Sequence, residues 1–496
     1  VAQTEKKNAE LATQEAIKSE EKALYLSALS DSSLKVSEEN EKLANQAKSD
    51  ALQQKSIAES SKIFAQKQAK IAKEESNKAL IALDQLLEQK SLTESQRDSA
   101  NIARMEAYEL SMQSISTSLA LQASRVEIKP ELAGLMAFHA NEFNNSVSGS
   151  KKSAAIFSGS TSALSKLKGN DYNLLDELKF MPNDLLVDDN EKNIYAIDNE
   201  GFVDIWNFKD GFFKRPKHKG TAKLNSNFEG LSANAFLLEK SSMAFVDLEG
   251  NLSYFESMEK TSPTLQFSNH SSLIRKVIKN GNKLISAGGD GKIIIQSMDG
   301  DFIKKEIPIE GIVLDISILN SKIVIITRGK CVVIDLESEY QSKEISLPGG
   351  LRSCRLAKEK IIISNNKGEI FQLNENLVIT KKIQFGYFPI GKIEISPDRN
   401  TLAIASANRR IGIYNLTNLE QDPMIIDNVG FQIRTLAISN DGFLIAGLEN
   451  GDCRFWSTNI SQNITEICAN LTRSLTKDEW KKYIGNKIEY NEACKK

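Results

Sequence analysis

The feature that most constrains this chain is a short unit that keeps returning. In NKLISAGGDGKIIIQS, Asn282 to Ser297, a β-run at Leu284 and Ile285 leads through a small-residue turn to a second run at Ile293, Ile294 and Ile295. The turn ends in Asp290-Gly291, and Asp-Gly between β-branched runs signals a hairpin, because glycine accepts the positive φ that primed turns need. The residues closing the equivalent second runs are Trp206, Phe255, Gln296, Asp335, Gln372, Tyr414 and Trp456, at intervals of 49, 41, 39, 37, 42 and 42 residues. Each follows a turn rich in Gly, Asn, Asp or Lys, such as Glu249-Gly250, Lys367-Gly368 and Asn450-Gly451. A self-similar period of about 40 residues with several strands per unit predicts a β-propeller. Seven units are counted, and the 49-residue first interval must absorb an insertion around Phe208–Phe228.

Over roughly residues 171–460 the repeats resemble the WD-repeat family. Two units end in Trp where the family has its Trp-Asp pair, and Ser396-Pro397-Asp398 and Ser439-Asn440-Asp441-Gly442 match its inter-strand turn. The resemblance implies a buried structural network of His270, Ser286 and Asp290 in one blade, with Gln296 in place of the family's tryptophan. The Gly-His signature is missing elsewhere, and other propeller families with four-stranded blades remain open. The chain after Trp456 turns helical and offers no outer strand for blade seven, so Asp176–Phe180 is expected to supply it and close the ring.

A chain of 496 residues with 41% apolar content has room for more than one domain and a sizeable core. A net charge of −2 gives no global reason to expect nucleic acid as a partner. The five cysteines form no close pair of the kind zinc knuckles or redox motifs need; Cys331, Cys354 and Cys453 lie in strand runs and read as small buried hydrophobes. No apolar run approaches the roughly 18 residues a membrane helix requires, and nothing resembles a signal peptide. The chain begins at Val1, inside a helical pattern and without Met, which reads as a piece of something longer.

Residues 1–129 contain neither glycine nor proline and are dominated by helix formers. As one unbroken helix they would extend on the order of 190 Å. Ala51, Ala58, Ala65, Ala72, Ala79 and Leu86 fall seven apart, a narrow seam of the kind that makes helices supercoil. Gln54, Ser61, Gln68 and Glu75 occupy the complementary position, so a partner helix would be held weakly, and a solvated single helix or helical hairpin stays open as the alternative. Between Asn101 and Leu167 the pattern changes to short amphipathic helices, with Pro130 suited to a first helical turn. In the tail, Ile464, Ile467, Cys468 and Leu471 share one helix face, and Thr476-x-x-Glu479 is a capping box opening a second helix.

Two segments carry a second resemblance. SLALQASRVEIKPELAGLMAFHANEF looks like the piece that, in bacterial signalling proteins, joins a membrane-proximal coiled-coil stalk to a WD-repeat propeller, and ICANLTRSLTKDEWKKYIG resembles the tail after it. Such proteins often carry an NTPase of the STAND type or a caspase-like protease upstream. The tail's two cysteines, here Cys468 and Cys494, would form a disulfide only in an oxidising compartment. The location implied is cytoplasmic, with the alternative of membrane tethering or a periplasmic position through a segment upstream of Val1.

No catalytic constellation is written in the chain. His139, His218 and His270 lack metal-ligand spacing, there is no phosphate loop or nucleophile elbow, and no cofactor or metal is expected. Glycine-rich Ala287–Gly291 lies between two strands and reads as a blade turn. In three blades an arginine stands two residues before the apolar residue that starts the inner strand: Arg275, Arg352 and Arg434. In WD-repeat propellers that position faces the rim of the channel, so the three form a candidate basic ring for an acidic or phosphorylated protein segment; unrelated surface charges are the alternative. The expected fold class is therefore α plus all-β multidomain: a helical, coiled-coil stalk (1–100), a helical connector (101–170), a seven-bladed propeller (171–460) and a helical tail (461–496). The expected role is a non-enzymatic module whose propeller docks a protein partner and whose stalk forms a homo-oligomer or links to an upstream effector. A plain structural scaffold and a propeller enzyme with a central-channel site are the rivals.

Overall fold

The computed structural model describes residues 94–494 apart from 148, 150–152, 176–180, 199, 224–233, 239–241, 258–259, 261, 269, 300–303 and 428. The Ala51–Leu86 seam and the stalk before residue 94 lie outside the described residues, as does Asp176–Phe180. Two units divide the chain, Val1–Arg104 and Met105–Lys496, and the account below concerns the second.

Seven four-stranded antiparallel sheets follow one another in sequence. Blade 1 covers residues 184–223, blade 2 234–268, blade 3 274–308, blade 4 315–346, blade 5 351–384, blade 6 390–426 and blade 7 433–457. The seven residues that mark the sequence repeat all fall in the third strand of a blade. Each innermost strand packs against that of the next blade, and blade 7 returns to blade 1, so the sheets form a closed seven-bladed β-propeller.

Burial explains the strand chemistry. Second strands such as Thr401–Ser406 and Phe443–Leu448 are buried at every position. They are covered on both faces by neighbouring blades, so they read as continuous Val, Ile, Leu and Ala runs. Outer strands such as Lys217–Lys223 and Lys304–Pro308 border solvent and carry lysines, which also discourage edge pairing. The insertion after blade 1's third strand is an aromatic wedge: Phe212 stacks on Phe208 and Phe443 at 4.6 and 4.2 Å and joins blade 1 to blade 7.

Among the described residues, the pair just before Asp176 takes part in closing the ring. Leu174–Leu175 pairs antiparallel with Cys453–Ser457 as the fourth strand of blade 7, Leu174 opposite Arg454 and Leu175 opposite Cys453. The Arg454 guanidinium fixes this strap, donating to the Asn170 carbonyl at 2.9 Å and the Asn173 side chain at 3.1 Å and pairing with Asp171 at 3.0 Å.

Helices on both sides of the propeller sequence share one core. They are α1 (Glu94–Ser124), α2 (Pro130–Ser146), α3 (Ala154–Lys168), α4 (Ile460–Asn470) and α5 (Lys477–Tyr483). Gly159 allows α1 and α3 to touch, since a Cβ there would lie 2.6 Å from the Ala120 carbonyl oxygen. Leu119, Met136, Phe157, Leu164 and Ile467 form the helical core, which runs on into Met424 and Ile426 of blade 6 and Trp456 of blade 7. Leu110 and Leu121, although apolar, point out of this core and are exposed. Arg473 ties the tail to α2 through Glu131 at 3.1 Å and to α5 through Glu479 at 2.6 Å. The Thr476–Glu479 capping box starts α5, and Cys468 and Cys494 are joined in a disulfide across 26 residues. Cys331, Cys354 and Cys453 are buried free thiols, each pushed up by burial, Cys331 to about 12. No helix among the described residues is long and apolar enough to cross a membrane.

Candidate interaction face

Antiparallel blades put two kinds of loop on one face: the turns between second and third strands, and the links from one blade's outer strand to the next blade's inner strand. A recurring hydrogen bond welds them together. The amide of His270, Ile309, Leu347, Phe385 and Val429 donates to the carbonyl of Gly250, Gly291, Gly329, Gly368 and Arg409 respectively, at 2.7–3.3 Å. Backbone hydrogen bonds of this kind hold the two sets of loops together across the face.

Arg275, Arg352 and Arg434 all stand on it, at one structural position. In blades 3, 5 and 7 the register of the innermost strand slips between Ile274 and Lys276, Leu351 and Ser353, and Ile433 and Thr435. The arginine is the extra residue of a β-bulge, a device that re-aims a side chain away from the ladder. Blade 6 has the same bulge, filled by Gly391. All three arginines are exposed. Arg352 donates through Nε to Asn366 Oδ1.

Two of the three share a pocket. A cavity of about 450 Å³ between blades 3, 4 and 5 is lined by Arg275, Arg352 and a further arginine, Arg328, from the second-to-third-strand turn of blade 4. Its floor is Ile312, Leu314, Thr327 and Leu351, and Gly311 and Gly329 keep it open. Arg434 lies two blades on from Arg352 and is not part of the lining. Among the described residues none of the four arginines has an ion-pair partner. Large apolar side chains stand exposed on the same face: Ile312 (54%), Tyr387 (90%), Phe388 (53%) and Phe431 (49%). Sequence reasoning missed Arg328, which stands in the turn Thr327-Arg328-Gly329-Lys330 and not at the fixed offset from an inner strand that marks the other three.

His270, Ser286 and Asp290 come together beneath this face. His270 Nδ1 lies 3.0 Å from Asp290 Oδ1 and Nε2 lies 2.8 Å from Ser286 Oγ. Burial would raise the Asp290 carboxyl, but His270 and the amides of Ser271 and Lys292 outweigh it and hold it low. Gln296, buried in the same blade's third strand, donates to the Ser297 carbonyl at 3.3 Å. These contacts join the blade 3 turn to the link before it.

The central channel carries charges that sequence reasoning missed. Arg355 of blade 5 pairs with Asp315 of blade 4 at 3.0 Å and Glu394 of blade 6 at 2.9 Å, and Lys276 stands 4.0 Å from Asp184. Burial would raise Asp315, yet the charges of Arg355, Lys276 and Lys392 hold it below the usual carboxylate range. Burial lowers the Lys392 ammonium, and Lys276 adds to the effect against the opposing pull of Asp315 and Asp184. The signal was present as polar residues two apart on innermost strands: Asp315 and Ser317, Ser353 and Arg355, Lys392 and Glu394. Alternation of that kind on a strand otherwise buried puts the polar set on the channel side. Among the described residues no group of three or more His, Cys, Asp or Glu could hold a metal ion.

The fold and this face define a seven-bladed β-propeller with a helical unit fused across its ends. No protein-family model and no curated protein matches the chain. Among solved structures it is similar to the WD40 β-propeller domain of Doa1, at 14% identity and a TM-score of 0.47, over 57% of this chain and 95% of that one. It is also similar to the computationally designed protein Ika8, at 11% identity and a TM-score of 0.45, over 57% and 99%.

Proposed function

We propose that this chain is a non-enzymatic protein-interaction module whose propeller docks a protein partner on the face bearing Arg275, Arg328, Arg352 and Arg434. The observation that carries the reading is the coincidence there of arginines that have no ion-pair partner among the described residues with exposed Ile312, Tyr387, Phe388 and Phe431. Aromatic residues and arginine are the types enriched at the energetic centres of interfaces. The rival, a catalytic channel, gains less support, because the channel carboxylates Asp184, Asp315 and Glu394 each face a cation.

In this reading the propeller is the sensing end of a WD-repeat, stalk-plus-propeller protein of the bacterial signalling or defence kind, with an effector upstream. The segment before residue 94 links to that effector or forms a homo-oligomer, which light scattering on the purified chain tests directly. The Cys468–Cys494 bond favours the membrane-tethered or periplasmic alternative over the cytoplasm, since such bonds persist where the surroundings are oxidising.

Cross-linking in cells with the full chain tests the docking face. A Tyr387→Ser/Phe388→Ser/Phe431→Ser variant is expected to lose the cross-linked partner, and a Lys343→Ser change on the outer strand of blade 5's neighbour, blade 4, to keep it. Equal capture by both variants overturns the assignment of the face.

A further inference from the structure

The pocket between Arg275, Arg328 and Arg352 has two chemistries at once. Three arginines line it, and among the described residues no carboxylate does. Its floor is apolar, built from Ile312, Leu314 and Leu351. A cavity of about 450 Å³ falls within the range of sites that take a compact ligand. Isolated phosphate or a plain acidic run would satisfy the rim and leave the floor wet. A neutral apolar segment would fill the floor and leave three arginines facing it unpaired.

Resting on the reading of this face as a docking surface, we infer that the pocket seats one large apolar side chain of an extended partner peptide, with acidic residues on either side of it held by Arg275, Arg328 and Arg352. Charge complementarity selects the flanks, because a guanidinium offers a rigid fork that fits a carboxylate with two parallel hydrogen bonds. The floor selects the centre. Leu351 is buried and fixed through its amide, which donates to the Arg328 carbonyl at 2.9 Å. Thr327 is buried beside Gly311, whose φ of +92° and missing side chain leave the entrance clear. Arg352 is steadied by Asn366, whose own amide donates to the carbonyls of Gly349 and Gly350 at 3.1 and 2.9 Å. The rim is thus partly preorganised, which lowers the ordering cost of binding.

The neighbouring surface suits a peptide that continues past the pocket. The Asn366–Gly368 turn that borders it packs against the link carrying Tyr387 and Phe388, since a Cβ at Gly368 would lie 2.8 Å from the Phe388 carbonyl oxygen. A nucleic acid fits less well. Its backbone asks for a run of cations, whereas the pocket gathers three around an apolar centre and the whole chain has a net charge of −2.

Three immobilised degenerate peptide libraries, probed with the full chain, separate the requirements. One has a central Phe or Leu flanked by Glu, one keeps the Glu flanks around a central Ser, and one keeps the apolar centre with Ser flanks. The first is expected to retain the protein at least tenfold better than the other two. Arg275→Ser, Arg328→Ser and Arg352→Ser should each weaken that retention roughly tenfold, about the effect of losing one charge-assisted contact. Raising the salt should weaken it for the parent and less for the triple variant. Ile312→Ser, an exposed change that leaves the fold intact, should cut the preference for an apolar centre and leave the salt response in place. Equal retention of the Ser-centred library overturns the apolar half, and equal retention of the Ser-flanked library overturns the acidic half. Retention of no library, with the cellular partner still lost in the Tyr387/Phe388/Phe431 variant, overturns this inference and leaves the docking face standing.

Discussion

Arg355 holds Asp315 across the seam between blades 4 and 5, with Nη1 3.0 Å from Oδ2, while its Nε and Nη2 reach Glu394 of blade 6 at 3.1 and 2.9 Å. Asp315 also accepts from Ser353 Oγ at 2.7 Å and the Cys354 amide at 3.1 Å. One guanidinium therefore ties three blades together from inside the channel. Arg355→Met keeps most of the bulk and takes from the buried Asp315 its ion-pair partner, so it should cost about 3–5 kcal/mol at neutral pH. The parent's Asp315 pKa is lowered, so its stabilising contribution is present above the usual aspartate range and is lost as pH falls through the lowered value. In the variant the carboxyl takes up its proton at higher pH, so the deficit should narrow on acidification. Urea unfolding of both proteins at several pH values checks this; a constant deficit would mean that Arg355 acts through packing alone.

His139 titrates in the opposite direction from most histidines that gain a partner. It is 1% exposed among Phe138, Phe143 and Trp480, and its Nε2 has no hydrogen-bond partner among the described residues. Burial depresses its pKa to about 4 from an ordinary 6.5. The unfolded chain takes up this proton first, so the folded state should lose stability as pH falls from about 6.5 towards 4, and keep it above. A gap of that size corresponds to on the order of 3 kcal/mol. His139→Leu should flatten that part of the stability profile relative to the parent. Parallel profiles would show that other groups set the acid limb.

The repeat was legible because blade chemistry is local. A turn rich in Gly, Asn, Asp or Lys between two β-runs announces a hairpin wherever it occurs, and seven such turns at near-constant spacing leave few alternatives to a ring. The bulge arginines were legible for the same reason, since they keep a fixed offset from the inner strand. What draws two of them into a pocket with a third arginine was not. Arg328 joins Arg275 and Arg352 only because blade 4's turn comes beside the start of blade 5, as the Leu351–Arg328 hydrogen bond records. The helical unit was hidden too: its core joins residues either side of the propeller, and one example is Asn463 donating to Ser160 at 3.4 Å, 303 positions apart. Periodicity in a helix reports which face is apolar, not what covers it.

The Cys468–Cys494 bond staples the end of α4 to the chain's last described residues. Cys494→Ser should destabilise the helical unit by about 3 kcal/mol, the scale for closing a loop of this length. Thermal unfolding with and without a thiol reductant checks it: reductant should lower the parent's transition to that of the variant and leave the variant unchanged. A parent insensitive to reductant would show that α5 is held by Trp480 and the Arg473–Glu479 pair without help from the bond.

Closure of the ring rests on a strap of two residues, and its failure should have a distinctive signature. Leu175 is buried against Leu185, Trp206 and Phe455, and its backbone lies opposite Cys453. The neighbouring Phe455 amide donates to the Asn173 carbonyl at 2.9 Å. Leu175→Asp would place a carboxylate among these side chains and should cost about 3 kcal/mol or more. Leu373→Ala in blade 5, a buried change within a complete sheet, should cost a similar amount by leaving a cavity. The two variants should nevertheless fail differently. Losing the strap turns Cys453–Ser457 into an open edge, so the Phe455 amide should exchange with solvent ahead of the rest of the propeller, and the protein should self-associate through that edge. Leu373→Ala should lower protection across blade 5 and stay monodisperse relative to the parent. Hydrogen exchange read at Phe455, with light scattering on the same samples, separates these outcomes. Unchanged protection at Phe455 in Leu175→Asp would show that Arg454 and its contacts to Asn170, Asp171 and Asn173 close the ring without the strap.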